Sequence, residues 1–130
     1  MVLKLSDKPK TLSSTLRSKH RYIAYKIKSE KDLTYDDLVN SIWHSTMNFL
    51  GELGTSKTNL WVIKNTYNEK NKIGLIRCDH TQVEQVRASL ALIQRIGDIR
   101  VIINVLGVSG TIKAARKKFF NDVDLKDFTQ

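Results

Sequence analysis

The stretch Val105–Phe120 has the residue types and spacing to hold an anion. An apolar run from Ile99 to Leu106 predicts a buried strand, Gly107 and Gly110 break it, and Thr111 is placed to cap a helix that carries four cations and no acid. The first amides of a helix have no internal partner and the helix dipole adds partial positive charge there, so a phosphate could sit at this junction, with Lys113 one turn in. On helical spacing Lys113, Arg116 and Lys117 share one face, while Ile112, Ala115 and Phe119 form an apolar stripe on another. The spacing GxxxxGK[ST] of a Walker loop is absent, and the same residues also suit an ordinary strand-to-helix turn with a threonine cap.

A second basic segment lies far away in sequence. Arg17, Lys19 and Arg21 alternate, and a strand from about His20 to Lys28 would point them the same way, toward phosphates of RNA or DNA. Arg77, Cys78, Asp79 and His80 place a guanidinium, a thiol, a carboxylate and an imidazole together. Strand alternation sends Arg77 and Cys78 to opposite faces, and no second Cys/His cluster completes a zinc site. Nothing here assembles a general base, a nucleophile or a carboxylate metal cage, so the expectation is no catalytic residue and no cofactor or metal held by the protein.

The elements that position these residues belong to a chain of 130 residues with 22 Lys+Arg against 13 Asp+Glu, a net charge of +9 and a pI near 9.8. Such a surplus implies a polyanion partner, nucleic acid before an anionic membrane. It is unevenly placed: Met1–Lys28 holds eight cations and one acid, whereas Ser29–Ser56 holds one cation and five acids. A single cysteine excludes an internal disulfide and suits a reducing cytoplasm. No run approaches the roughly 20 apolar residues of a membrane helix. The expected organisation is a flexible basic arm over residues 1–15, one domain over 16–120 and an acidic tail over 121–130.

Thr34 and Asp37 have capping-box spacing and predict a helix that Gly51 and Gly54 end. Leu38, Val39, Ile42, Trp43, Phe49 and Leu50 would form its inward side, with His44 on the polar side. Thr58–Lys64 and Ile73–Cys78 read as strands of an antiparallel hairpin around an Asn65–Lys72 loop. Thr81 and Glu84 predict a second helix, stopped by Gly97, before the strand Ile99–Leu106. The order strand, helix, strand, strand, helix, strand is that of an α+β, ferredoxin-like or RRM-like βαββαβ sandwich, here with an extra C-terminal basic helix. Two crossover helices cover one sheet face; the other is too apolar for water and needs the third helix, a protein partner or both. Trp61 is the candidate anchor for such a partner, with a core role equally open.

An RNA-recognition motif stacks bases on aromatics of its third strand, and Ile73–Cys78 has none, so RNA contact is expected through basic edges and shape. An acylphosphatase would need a glycine-rich loop after the first strand, where Ser29–Leu33 is acidic and glycine-free. Six segments in order, Leu16–Ile23, Phe49–Gly54, Asn59–Ile63, Gly74–Cys78, Val86–Ile93 and Val105–Ala114, resemble the pattern of the archaeal and eukaryotic ribonuclease P protein component 2 family, the Pop5-type subunit. The resemblance covers about Leu16 to Phe120. It implies a non-catalytic subunit of a ribonucleoprotein endonuclease that removes the 5′ leader of precursor tRNA; the cytoplasmic location is the expectation that the single cysteine carries. On that pattern the RNA carries the active site and its magnesium. On the same pattern the protein pairs with ribonuclease P protein component 3 and supports the RNA, and the uncovered apolar face leaves a second copy of the chain within a larger assembly open as a partner. RNA contact would fall to Arg17, Lys19, Arg21, Gly107, Gly110, Thr111, Lys113, Arg116 and Lys117. The alternative from another class is a ferredoxin-like regulatory domain binding a small anion at Gly107–Thr111.

Overall fold

The computed structural model describes residues 19–120, so the arm, the acidic tail and Arg17 lie outside the described residues. Strand β1 (His20–Ser29) is followed by helix α1 (Tyr35–Thr58), the hairpin β2 (Trp61–Asn68) and β3 (Ile73–Asp79), helix α2 (Val83–Ala91), a two-residue strand β4 (Arg95–Ile96), strand β5 (Ile99–Ser109) and helix α3 (Ile112–Phe119). All neighbouring strands are antiparallel, in the order β2-β3-β1-β5-β4. The pairs β1/β2 and β3/β5 therefore run parallel with one strand between them, as the ferredoxin-like arrangement requires. No described helix is long and apolar enough to cross a membrane.

Alternation along the strands builds two cores. Ile23, Tyr25, Ile27, Ile76, Val101 and Ile103 point to α1 and α2 and pack with Leu38, Ile42, Val86 and Leu90. Ala24, Ile73 and Leu75 point the other way and meet Ala115 and Phe120, with Ile63, Ile112 and Phe119 at the margin. Helix α3 thus covers part of the second sheet face through the apolar stripe its sequence carries. The packing leaves no room for side chains at two strand glycines: Gly74 lies under the Tyr25 ring and Gly107 under that of Phe119.

Several boundaries differ from the sequence reading, each for a local reason. The first helix does not stop at Gly51; it kinks there (φ 76°, ψ 175°) and continues to Thr58, which Asn59 terminates in the left-handed region (φ 49°). The Thr55 hydroxyl donates to the Thr46 carbonyl at 3.2 Å and ties the two halves together. The inward stripe runs through Leu38, Ile42 and Thr46, and Phe49, expected inside, is 48% exposed. With the helix longer, β2 begins at Trp61 rather than Thr58, and the hairpin turn shortens to the residues between Asn68 and Ile73. Asp79, not Thr81, caps the start of the second helical segment, its carboxylate accepting from the Thr81 amide at 3.0 Å. Helix α2 ends at Ala91, and Gly97 (φ 63°) instead makes the tight turn between β4 and β5. Strand β5 extends to Ser109, three residues beyond the expected end, with a bulge opposite Ala24/Tyr25.

Candidate nucleic-acid and protein interfaces

The β5–α3 junction keeps part of its expected geometry. Thr111 caps α3, its hydroxyl accepting from the Ala114 amide at 3.0 Å. Lys113 and Lys117 are exposed and Arg116 is half-buried, with Lys118 placed over the Phe119 ring at 5.8 Å. Gly110 is exposed and open on its side-chain side. Gly107 is not part of a phosphate turn: it sits inside β5 opposite Ala24, and its missing side chain makes room for Phe119. Neither Gly107 nor Gly110 takes a positive φ.

The start of β1 arrives at the same end of the sheet, because Tyr22 pairs with Ser109. Lys19 is exposed, and its carbonyl accepts from the His80 amide at 2.9 Å. Arg21 is half-buried and donates to the His20 carbonyl at 2.9 Å. Arg21 alternates in phase with Ile23, on the side of α1 and α2, whereas α3 lies on the other side. The cations at 19 and 21 and those of α3 therefore bracket one end of the sheet from two faces.

Of the cluster Arg77–His80, Asp79 and His80 approach each other, the imidazole Nδ1 lying 3.8 Å from the carboxylate, while Cys78 turns into the core. Cys78 is fully buried, and burial, helped by the Asp79 charge, pushes its thiol up to about 11. That favours a protonated sulfur with no access to an electrophile. Hydrogen bonds from the Thr81 hydroxyl and amide hold the Asp79 carboxyl below its usual range. Among the described residues no group of three or more His, Cys, Asp or Glu could hold a metal ion.

Among the described residues, two areas of the surface group exposed apolar side chains. One is a groove between α1 and the α2–β4 connection, lined by Asn40, His44, Asn48, Phe49, Leu92 and Arg95, in which Leu92 is 56% exposed and His44 is solvated. The other is on the second sheet face, where Trp61, Ile102 and Leu106 are exposed; Trp61 is not a core residue, and Trp43 is the tryptophan packed against the core. The row that Trp61 shares with Arg77 and Tyr22 escaped the sequence reading, because strand register, not spacing, brings those residues together.

The model of the Rpp14/Pop5 family matches residues 21–120. The chain is 46% identical over 117 residues to a ribonuclease P protein component 2 of Pyrococcus furiosus, covering 90% of this chain and 96% of that protein. It is 41% identical over 113 residues to the protein of the same description from Methanosarcina mazei, covering 87% and 94%. Its fold is similar to that of a chain in the cryo-EM structure of yeast ribonuclease MRP, with a TM-score of 0.56 at 11% identity over 87% of this chain and 94% of that one.

Proposed function

The chain belongs to the Rpp14/Pop5 family, and on that premise we propose that it is a protein subunit of ribonuclease P, the ribonucleoprotein that removes the 5′ leader from precursor tRNA. The observation that carries this reading is likeness to ribonuclease P protein component 2 over nearly the whole length of both chains. The charge agrees: +9 overall, with the α3 lysines and Lys19 exposed around one end of the sheet, suits a role in neutralising RNA phosphates. The RNA carries the active site and its magnesium, and this subunit supports it by binding and positioning.

RNA phosphates are contacted by Lys113, Arg116 and Lys117 together with Lys19 and Arg21, and by Arg17 from outside the described residues. Ribonuclease P protein component 3, or a second copy of the chain, docks in the groove carrying Phe49 and Leu92, where exposed apolar side chains sit among polar ones with Arg95 at the margin. The competing reading of a small-anion regulatory site at Gly107–Thr111 loses support, since Gly107 is occupied in packing and the Thr111 hydroxyl already takes an α3 amide.

Reconstitution with the RNA subunit and component 3 tests the proposal by scoring 5′-leader release from precursor tRNA. Omitting this chain should lower the cleavage rate, and the protein free of RNA should release no leader. Leader cleavage by rigorously RNA-free protein, or a reconstituted rate indifferent to the chain, would overturn it.

A further inference from the structure

Directly opposed residues on neighbouring strands send their side chains to the same face of a sheet. Trp61 stands opposite Arg77 and Arg77 opposite Tyr22, so the three form a row across β2, β3 and β1, and His20 follows two residues from Tyr22 on the same face. Val62, Ile76 and Ile23 alternate with them toward α1 and α2, which puts the row on the second face. Helix α3 packs on that face over Ala24, Ile73 and Leu75, and leaves Trp61 58% exposed.

The row carries unused hydrogen-bonding capacity. Arg77 Nε and His20 Nδ1 are buried without a hydrogen-bond partner among the described residues, a condition that an ordered water, an ion or a ligand resolves. The neighbouring helix on this face is basic, carrying Lys113, Arg116 and Lys117 without an acid, while Asp36 lines a cleft beside Trp61 at the far edge of the row. Asp79 is the acid at this end of β3, and its carboxylate is engaged by the Thr81 amide and hydroxyl.

Resting on the reading of the chain as an RNA-binding subunit, we propose that this row is a stacking site for an unpaired nucleobase of single-stranded RNA. The base lies on the Trp61 indole, and Arg77 and His20 hydrogen-bond to its edge or its phosphate. Aromatic faces bind bases of any sequence, and nearby cations hold the backbone. An RNA-recognition motif carries its stacking aromatics on the third strand, whereas here they come from β2 and β1. Trp, Arg and Tyr also anchor protein partners, and it is the acid-free basic helix α3 on the same face that turns the reading toward a polyanion.

The test uses the full chain with Trp43→Phe, which leaves Trp61 as the sole tryptophan, titrated with a ten-residue oligoadenylate and with a blunt RNA duplex of equal length. Quenching of Trp61 fluorescence by the oligoadenylate and not by the duplex is the expected result. In the otherwise natural chain, Trp61→Ala should weaken oligoadenylate binding roughly tenfold to a hundredfold, and Trp61→Phe by less. The salt dependence should be unaltered, because stacking releases no counterions. The melting temperature of Trp61→Ala should stay close to that of the natural chain, since the side chain is exposed. Unchanged single-strand affinity in Trp61→Ala, with binding still lost when Lys113, Arg116 and Lys117 become Ala, refutes the stacking site and leaves the RNA-binding reading standing. A natural chain that binds no RNA takes down both. If Trp61→Ala spares the oligoadenylate and instead weakens assembly with a protein subunit, the face is a protein interface and the proposal is overturned.

Discussion

Gly107 and Gly110 look alike in sequence, two small residues interrupting an apolar run, yet they serve different ends. A Cβ at Gly107 would enter the Phe119 ring, while one at Gly110 meets open space. Gly107→Ala should lift α3 from the sheet and destabilise the protein by about 1–3 kcal/mol, the usual range for overpacking, read as a lowered melting temperature. Gly110→Ala should leave the melting temperature nearly unchanged, and equal effects at the two positions would refute the packing role. Which glycine is which depends on a bulge in β5 that no spacing rule reveals. Cys78 was easier to place, since strand alternation alone separates it from Arg77. Its thiol is pushed up to about 11, so burial favours the protonated form. That contribution to stability is complete below the ordinary thiol range and is lost as pH rises through the folded value. Native protein at pH 8 should therefore resist iodoacetamide and react promptly once unfolded in guanidinium; fast labelling of the native state would contradict the burial.

At the scale of elements, what the sequence conveyed well was element type and order. Hydrophobic period and threonine caps located α1 and α3, and Thr34 does accept from the Asp37 amide at 3.1 Å. What it conveyed poorly was where helices end. Gly51 and Gly54 carry the usual stop signal, but buried threonines restart the helix: the Thr58 hydroxyl donates to the Thr55 carbonyl at 2.6 Å and accepts from the Leu60 amide at 3.2 Å. A tertiary arrangement of hydroxyls has no signature in apolar periodicity, and the kink it permits leaves Phe49 and Leu53 exposed rather than continuing the buried stripe. Gly51 occupies backbone space with positive φ and extended ψ that is essentially closed to other residues. Gly51→Ala should therefore cost about 1–3 kcal/mol in denaturant unfolding although no side chain would clash there. A neutral result would mean that the kink relaxes freely into a straight helix.

Across the whole molecule, topology was legible because a hairpin and two crossovers admit few arrangements, and the candidate cations were legible as an imbalance of charge. Their disposition in space was not, because it depends on which face α3 takes: it docks on the second face through Ala115 and Phe120, opposite the side to which Arg21 points. The cations consequently bracket the sheet end instead of forming a single strip, and this separates two modes of RNA binding. If one RNA wraps the end, four to six phosphate contacts drawn from both faces should give a slope of log affinity against log salt on the order of −3 to −5. Changing Lys113, Arg116 and Lys117 to Ala should then flatten the slope by up to about three units, and changing Lys19 and Arg21 to Ala by up to about two. Because the clusters lie on different faces and contact different phosphates, their losses in free energy should add to within about 0.5 kcal/mol when the two sets are combined. If the RNA lies on the α3 face alone, the Lys19/Arg21 variant will leave both affinity and slope where they were. Salt titrations of the two variants and of their combination decide between an RNA that grips the sheet end from both sides and one that touches a single layer.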